Sequence, residues 1–172
     1  QRGGYGYGVS VNGGGDVHII ANKFDYCRHH VASTGSPGTG YEAAWNLIME
    51  NATSTHFDMH GGRDRGDGTD IAGDWLHVHH NTFLGPHVHV GIRGTPSDGA
   101  EVHNNWFART VENAVRATGN TRVFDNAFGP DKEPQPRAIE FVDGKPVEFK
   151  GGLCPLCPRP TDAQTTREES EE

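Results

Sequence analysis

Three cysteines in 172 residues are too few for a disulfide framework, so this chain must be held together by a packed core. Cys154-Pro-Leu-Cys157 can close a local disulfide or supply half of a zinc site, but no His follows it to complete the ligand set. Long apolar runs are missing too: no stretch approaches the roughly 18 residues of a membrane span. Base is in deficit, with 15 Lys and Arg against 23 Asp and Glu and a formal charge of −8. That argues against a nucleic-acid partner, whose backbone demands clustered Lys and Arg. No initiator Met and no signal-peptide pattern precede Gln1, which reads as a processed chain or an excised fragment. An apolar period of helical spacing is also lacking.

What the chain has is glycine, 24 copies, and repetition. Five segments share one frame: VHIIANKF (17–24), YEAAWNLI (41–48), LHVHHNTF (76–83), AEVHNNWF (100–107) and TRVFDNAF (121–128). Their asparagines, Asn22, Asn46, Asn81, Asn105 and Asn126, stand 24, 35, 24 and 21 residues apart. Three of these intervals suit one solenoid coil, and the long one is a coil carrying the inserted Gly/Asp-rich stretch 61–74. Alternation turns Ile19, Ala43, Val78, Val102 and Val123 inward, together with Val17, Tyr41, Leu76, Ala100 and Thr121. Phe24, Ile48, Phe83, Phe107 and Phe128 follow as an internal ladder, and the Asn fits a corner where it bonds neighbouring backbone.

A second strand in each coil ends on Gly: HHVASTG (29–35), THFDMHG (55–61), VHVGIRG (88–94) and NAVRATG (113–119). Aligned on that Gly, Val31, Phe57, Val90 and Val115 are buried, and strict alternation sends a polar set outward. One outward column is His30, His56, His89 and Ala114; the next is Ala32, Asp58, Gly91 and Arg116; the third is Thr34, His60, Arg93 and Thr118. Stacking places corresponding residues ~4.8 Å apart. Three imidazoles, a carboxylate and two guanidiniums then share one patch. His30, His56, His89 and Asp58 also offer the nitrogen and oxygen donors of a transition-metal site. The outer face of the first strand carries His18, Glu42, His77, Glu101 and Arg122, a structural ladder of charge-assisted hydrogen bonds, with His79 and His103 as a weaker metal-binding pair and His80 adjoining the Asn81 corner.

Such repeats resemble the right-handed parallel β-helix superfamily of pectate lyases and related polysaccharide-active proteins, over about residues 5–129. The resemblance implies an all-β solenoid of about five coils, an extracellular or cell-surface location, and an acidic polysaccharide as partner. Lyase or epimerase chemistry follows: Arg93 and Arg116 neutralise a uronate carboxylate, His60 or His56 removes the acidified ring proton, and Asp58 orients an imidazole. His30 and His89 join the two arginines in binding substrate. Asp58-Met59-His60 resembles the Asp-x-His part of an Asp-Pro-His-Asp motif found in some uronan epimerases of this superfamily. The competing expectation is a non-enzymatic surface module, adhesive or filament-forming, whose histidines are structural or metal-binding.

In the inserted loop, Asp64, Asp67 and Asp70 among glycines suit calcium, although their spacing is not that of an EF-hand. Arg65-Gly66-Asp67 is read as a chance match to an adhesion signal. Three regions are expected: the β-helix at 1–129, a proline-rich connection with a capping hairpin at 130–150, and an acidic tail at 151–172 without an apolar period. No cap precedes Tyr5, so the open N-terminal coil is a place for self-association.

Overall fold

The computed structural model describes residues 6–86, 88–109 and 113–129, and the strands at 138–142 and 145–149. Coil one runs through β1 (Tyr7–Val11), β2 (Asp16–Ile20) and β3 (Lys23–Phe24); coil two through β4 (His29–Ser33), β5 (Gly40–Ala44) and β6 (Leu47–Ile48). In coil three, β7 (Phe57–Met59) is followed by the short helix α1 (Gly62–Arg65), then β8 (Trp75–His79) and β9 (Thr82–Phe83). Coil four holds β10 (Val90–Ile92), β11 (Gly99–His103) and β12 (Trp106–Phe107), and coil five β13 (Val115–Ala117), β14 (Thr121–Phe124) and β15 (Ala127–Phe128). Corresponding strands pair in parallel, giving three five-stranded sheets: β1-β4-β7-β10-β13, β14-β11-β8-β5-β2 and β15-β12-β9-β6-β3. The fold is the expected all-β parallel solenoid of about five coils. Strands β16 (Ala138–Val142) and β17 (Lys145–Phe149) form an antiparallel pair. The proline-rich connection and the tail with Cys154 and Cys157 lie outside the described residues. Among the described residues, no helix is long and apolar enough to cross a membrane.

At each corner the Asn ladder closes. Asn22, Asn46, Asn81 and Asn105 each donate a backbone N–H to the Oδ1 of the Asn one coil on, at 2.8 to 3.0 Å. From Asn46 onward, the Nδ2 group reaches back to a carbonyl of the preceding coil, those of Ile19, Ala43, Val78 and Val102 in turn. One amide therefore binds both neighbouring coils. The residue before each Asn takes the left-handed conformation although none is Gly: Ala21, Trp45, His80, Asn104 and Asp125 have φ of 51 to 60°. That backbone is unfavourable for an L-residue. The ladder bonds hold the corner against it.

Inside, the expected columns are buried from coil two to coil four: Tyr41, Ala43, Leu76, Val78, Val102, Val31, Phe57, Met59 and Val90 are all inaccessible. Phe83, Phe107 and Phe128 stack at centroid distances of 5.0 and 5.3 Å. Exposure rises at the last coil, where Val123, in an inward column, is 47% exposed.

One expected column is corrected. His30, His56 and His89 do not face solvent; all three are fully buried. The amides of His30 and Val31 both donate to the His56 carbonyl, and those of His89 and Val90 both donate to the Ala114 carbonyl. Two consecutive donors on one acceptor mark a bulge, which inserts one residue and resets the alternation upstream of it. At His56 the chain bends as it enters β7. The three imidazoles thereby join the apolar side of the strand. They lie against the ring ladder, His30 on Phe24 at 5.8 Å, His56 on Phe83 at 6.1 Å and His89 on Phe107 at 5.1 Å.

Asn81 is the middle rung, and its removal strands the Asn46 amide and the Ala43 carbonyl in the interior. Each unpaired buried group costs ~1–3 kcal/mol, so Asn81→Ala should lower unfolding free energy by ~3 to 5 kcal/mol in urea titrations.

Candidate functional site

Downstream of the bulge the expected alternation holds, and it brings three of the expected residues together on the outer face of the first sheet. Asp58 projects from the middle of β7, His60 follows the end of that strand, and Arg93 follows β10 in the next coil. Arg93 Nη2 lies 2.6 Å from Asp58 Oδ2, His60 Nε2 lies 3.0 Å from the same oxygen, and Arg93 Nη2 also touches His60 Nε2. Asp64, from α1, closes the group, 3.3 Å from Arg93 Nη1 and 3.5 Å from His60 Nδ1. Two carboxylates thus flank one guanidinium and one imidazole. The Asp58 side chain is only 4% exposed, whereas His60 and Arg93 are 33% and 43% exposed. The carboxylate is the floor of the site and the two nitrogen groups are its accessible rim. Burial alone would raise the Asp58 pKa, but the His60 hydrogen bond and the Arg93 charge outweigh it and hold the carboxyl below its usual value.

His29 completes the floor and was missed by alternation. The bulge that turns His30 inward puts His29 outside, with Nε2 3.8 Å from Asp58 Oδ2 and Nδ1 on the Thr55 carbonyl. Its ring is 5.7 Å from that of Tyr7. Desolvation lowers its pKa, against the opposing pull of the Thr55 hydrogen bond and Asp58. The signal available in the sequence was the paired His29-His30, of which only one ring can face each side of a strand.

Arg116 is exposed and stands in register with Asp58 through Gly91, two strand spacings or ~9.6 Å away. Among the described residues it has no ion pair. Gly91 leaves the ground between them low: a Cβ there would lie 3.3 Å from Asp58 Oδ1.

The other expected sites do not assemble. His30, His56 and His89 lie on the buried side of the sheet and Asp58 on the outer side, so the four cannot share an ion. The histidines are likewise out of reach of a substrate on the outer face. In the loop, Asp64 turns to Arg93, Asp67 to Arg65 and Thr69, and Asp70 to Arg63 and Thr95. Among the described residues, no three His, Cys, Asp or Glu side chains are arranged around a metal position. Arg65 is only 15% exposed and donates to the carbonyls of Thr34, Gly35 and Ile71, pinning the loop to the solenoid. The arginine of the Arg65-Gly66-Asp67 tripeptide is thereby committed to the solenoid, while Gly66 and Asp67 stay exposed. No protein-family model, no curated protein and no solved structure matches this chain.

The buried column has a measurable consequence. Among the described residues, neither ring nitrogen of His30 has a hydrogen-bond partner, and burial pushes its pKa down to about 4. Above pH ~6.5 the ring is neutral both folded and unfolded and pH has no effect through it. Below that, the unfolded chain takes the proton first, and stability falls by up to ~1.4 kcal/mol per pH unit until the folded ring titrates. Urea unfolding between pH 7 and 4 should show His30→Leu losing ~3 kcal/mol less than the wild type.

Proposed function

We propose that this chain is a carbohydrate-active β-solenoid protein that binds or acts on an acidic polysaccharide through the outer face of its first sheet. The observation that carries this reading is the contact triangle of Asp58, His60 and Arg93, exposed at its rim, beside the low ground of Gly91 and the uncommitted charge of Arg116. An extracellular or cell-surface setting goes with such a substrate.

The residues divide the labour by their partners. Arg93 is already balanced by Asp58 and Asp64, so its role is to hold Asp58 and His60 in place. Arg116 carries the free positive charge for a uronate carboxylate. His60 removes the ring proton alpha to that carboxylate, a task within reach of an imidazole near neutral pH. In the lyase form, the electron pair left on the ring carbon forms a double bond to the next carbon as the C–O bond breaks, and the leaving glycosidic oxygen takes a proton from solvent water. In the epimerase form, the same carbon takes a proton from solvent water on its opposite face, and in both forms His60 gives up its proton to solvent. His29 supports Asp58 from below.

A second reading draws on the ends of the solenoid. Val123 is 47% exposed in the last coil, and Val9 and Val17 are only half-buried in the first. A non-enzymatic surface module would use such uncovered coils to stack end to end.

Incubation with a panel of uronate polymers separates the readings. The first expects binding, with a rise in ultraviolet absorbance in the lyase case. His60→Ala should cut turnover by ~100-fold or more, and Arg116→Gln should raise KM with little change in kcat. No binding and no turnover on any polymer, together with regular end-to-end assemblies in electron micrographs, would favour the second.

A further inference from the structure

A second group of titratable side chains lies away from this cluster, on the outer face of the second sheet and the corner that follows it. Glu42, on β5, sits between two imidazoles. His18 Nδ1 donates to its Oε2 at 2.6 Å, and His79 Nε2 donates to its Oε1 at 2.8 Å. Burial pulls the Glu42 pKa upward, but these two hydrogen bonds outweigh it and keep the carboxyl below its usual value. A carboxylate that accepts a hydrogen bond from Nε2–H fixes the tautomer, and leaves a lone pair on Nδ1 of a neutral His79. Desolvation favours that neutral form, lowering the His79 pKa against the pull of Glu42.

The lone pair is aimed at another imidazole. His79 Nδ1 and His80 Nδ1 are 2.8 Å apart, with the two rings at 88° to one another. His80 is held in place by its own backbone and by a neighbour: it occupies the left-handed corner at φ 54°, and its ring stacks on Trp45 at 4.3 Å. His103 stacks on His79 at 5.1 Å and stands edge-on to His80 at 6.0 Å. Two facing imidazole nitrogens can share one proton or one metal ion. A carboxylate that holds one nitrogen of an imidazole while the other turns to a further donor is the arrangement by which metal-ligating histidines are oriented.

We propose that Nδ1 of His79 and Nδ1 of His80 together bind a divalent transition-metal ion such as Zn²⁺, Ni²⁺ or Cu²⁺, with Glu42 orienting His79 from its far side. Tetrahedral zinc with Zn–N bonds of ~2.0–2.1 Å holds two nitrogens roughly 3.3 Å apart, so the pair has to open by only about half an ångström. Water completes the coordination, and His103 is the nearest further imidazole. This site rests on a different sheet from the Asp58 cluster and is independent of the polysaccharide reading.

The test uses the full chain, free of any affinity tag and stripped with chelator, titrated with Zn²⁺ by calorimetry at about pH 7.5, where imidazoles are neutral. The wild type should bind one ion and gain melting temperature on binding. His79→Gln and His80→Asn should each weaken binding by about tenfold or more, and Glu42→Gln by a smaller factor. Asn tolerates the left-handed corner, so His80→Asn keeps the fold. Nitrogen-edge NMR of the wild type gives a readout without any variant: Zn²⁺ should shift the ring nitrogens of His79 and His80. A wild type that takes up no Zn²⁺, unchanged ring signals at these two residues, or variants that bind as the wild type does would each overturn the proposal.

Discussion

The asparagine ladder is the constraint on which everything else in this molecule depends. A solenoid coil has to turn sharply at each corner, and here the residue before each ladder Asn is forced into the left-handed region without being Gly. Nothing local stabilises that backbone in Ala21 or Trp45. The compensation comes from the next residue, whose amide bonds a neighbouring coil and, at Asn46, Asn81 and Asn105, the coils on both sides. Because each rung sets the height of the next coil, the ladder also fixes the registers that place Asp58 opposite Gly91 and Glu42 opposite His77. Both candidate sites are thus consequences of corner chemistry, which lies away from the Asp58 cluster and directly adjoins the His79–His80 pair.

The architecture was legible because it is periodic. Five Asn-x-apolar corners in one frame gave the coil length, the position of the insertion and the inward columns of the first strand, and Tyr41, Leu76 and Val102 are buried as that frame requires. The second strand was legible only as far as its alternation ran. Counting back from Gly61, Met59 and Phe57 inward and Asp58 and His60 outward are correct, since those residues lie downstream of the bend at His56. At His56 the count fails. A bulge is a change of phase, not of composition, and His30, His56 and His89 look identical in sequence whether they point in or out. The cost of missing it was one column of the site and the substitution of His30 for His29.

Composition had equally little purchase on the inserted loop. Its aspartates read as a calcium loop because carboxylates among glycines are all that composition shows. The structure distributes them to three different cations. Asp64 crosses to Arg93, and Arg65 reaches back to the carbonyls at the end of β4, so the loop is bound to the site at two points. An insertion that adds one carboxylate to the rim of His60 and Arg93 is better understood as part of the site than as a separate ion-binding element.

The histidines show how far environment decides the chemistry of one residue type. In the core column, His30 has lost water without gaining a partner and is a neutral, acid-sensitive packing element. On the first sheet, His60 stands between two carboxylates and beside a guanidinium, with a third of its side-chain surface open to solvent. On the second sheet, His79 spends one nitrogen on Glu42 and aims the other at His80. These three states lie within neighbouring coils of one solenoid. What separates them is strand phase: a single extra residue at a bulge decides whether an imidazole faces phenylalanine or water, and the stacking of coils then supplies its partner. Function in such a fold is therefore assigned by the phase of the strand before it is assigned by the identity of the side chain.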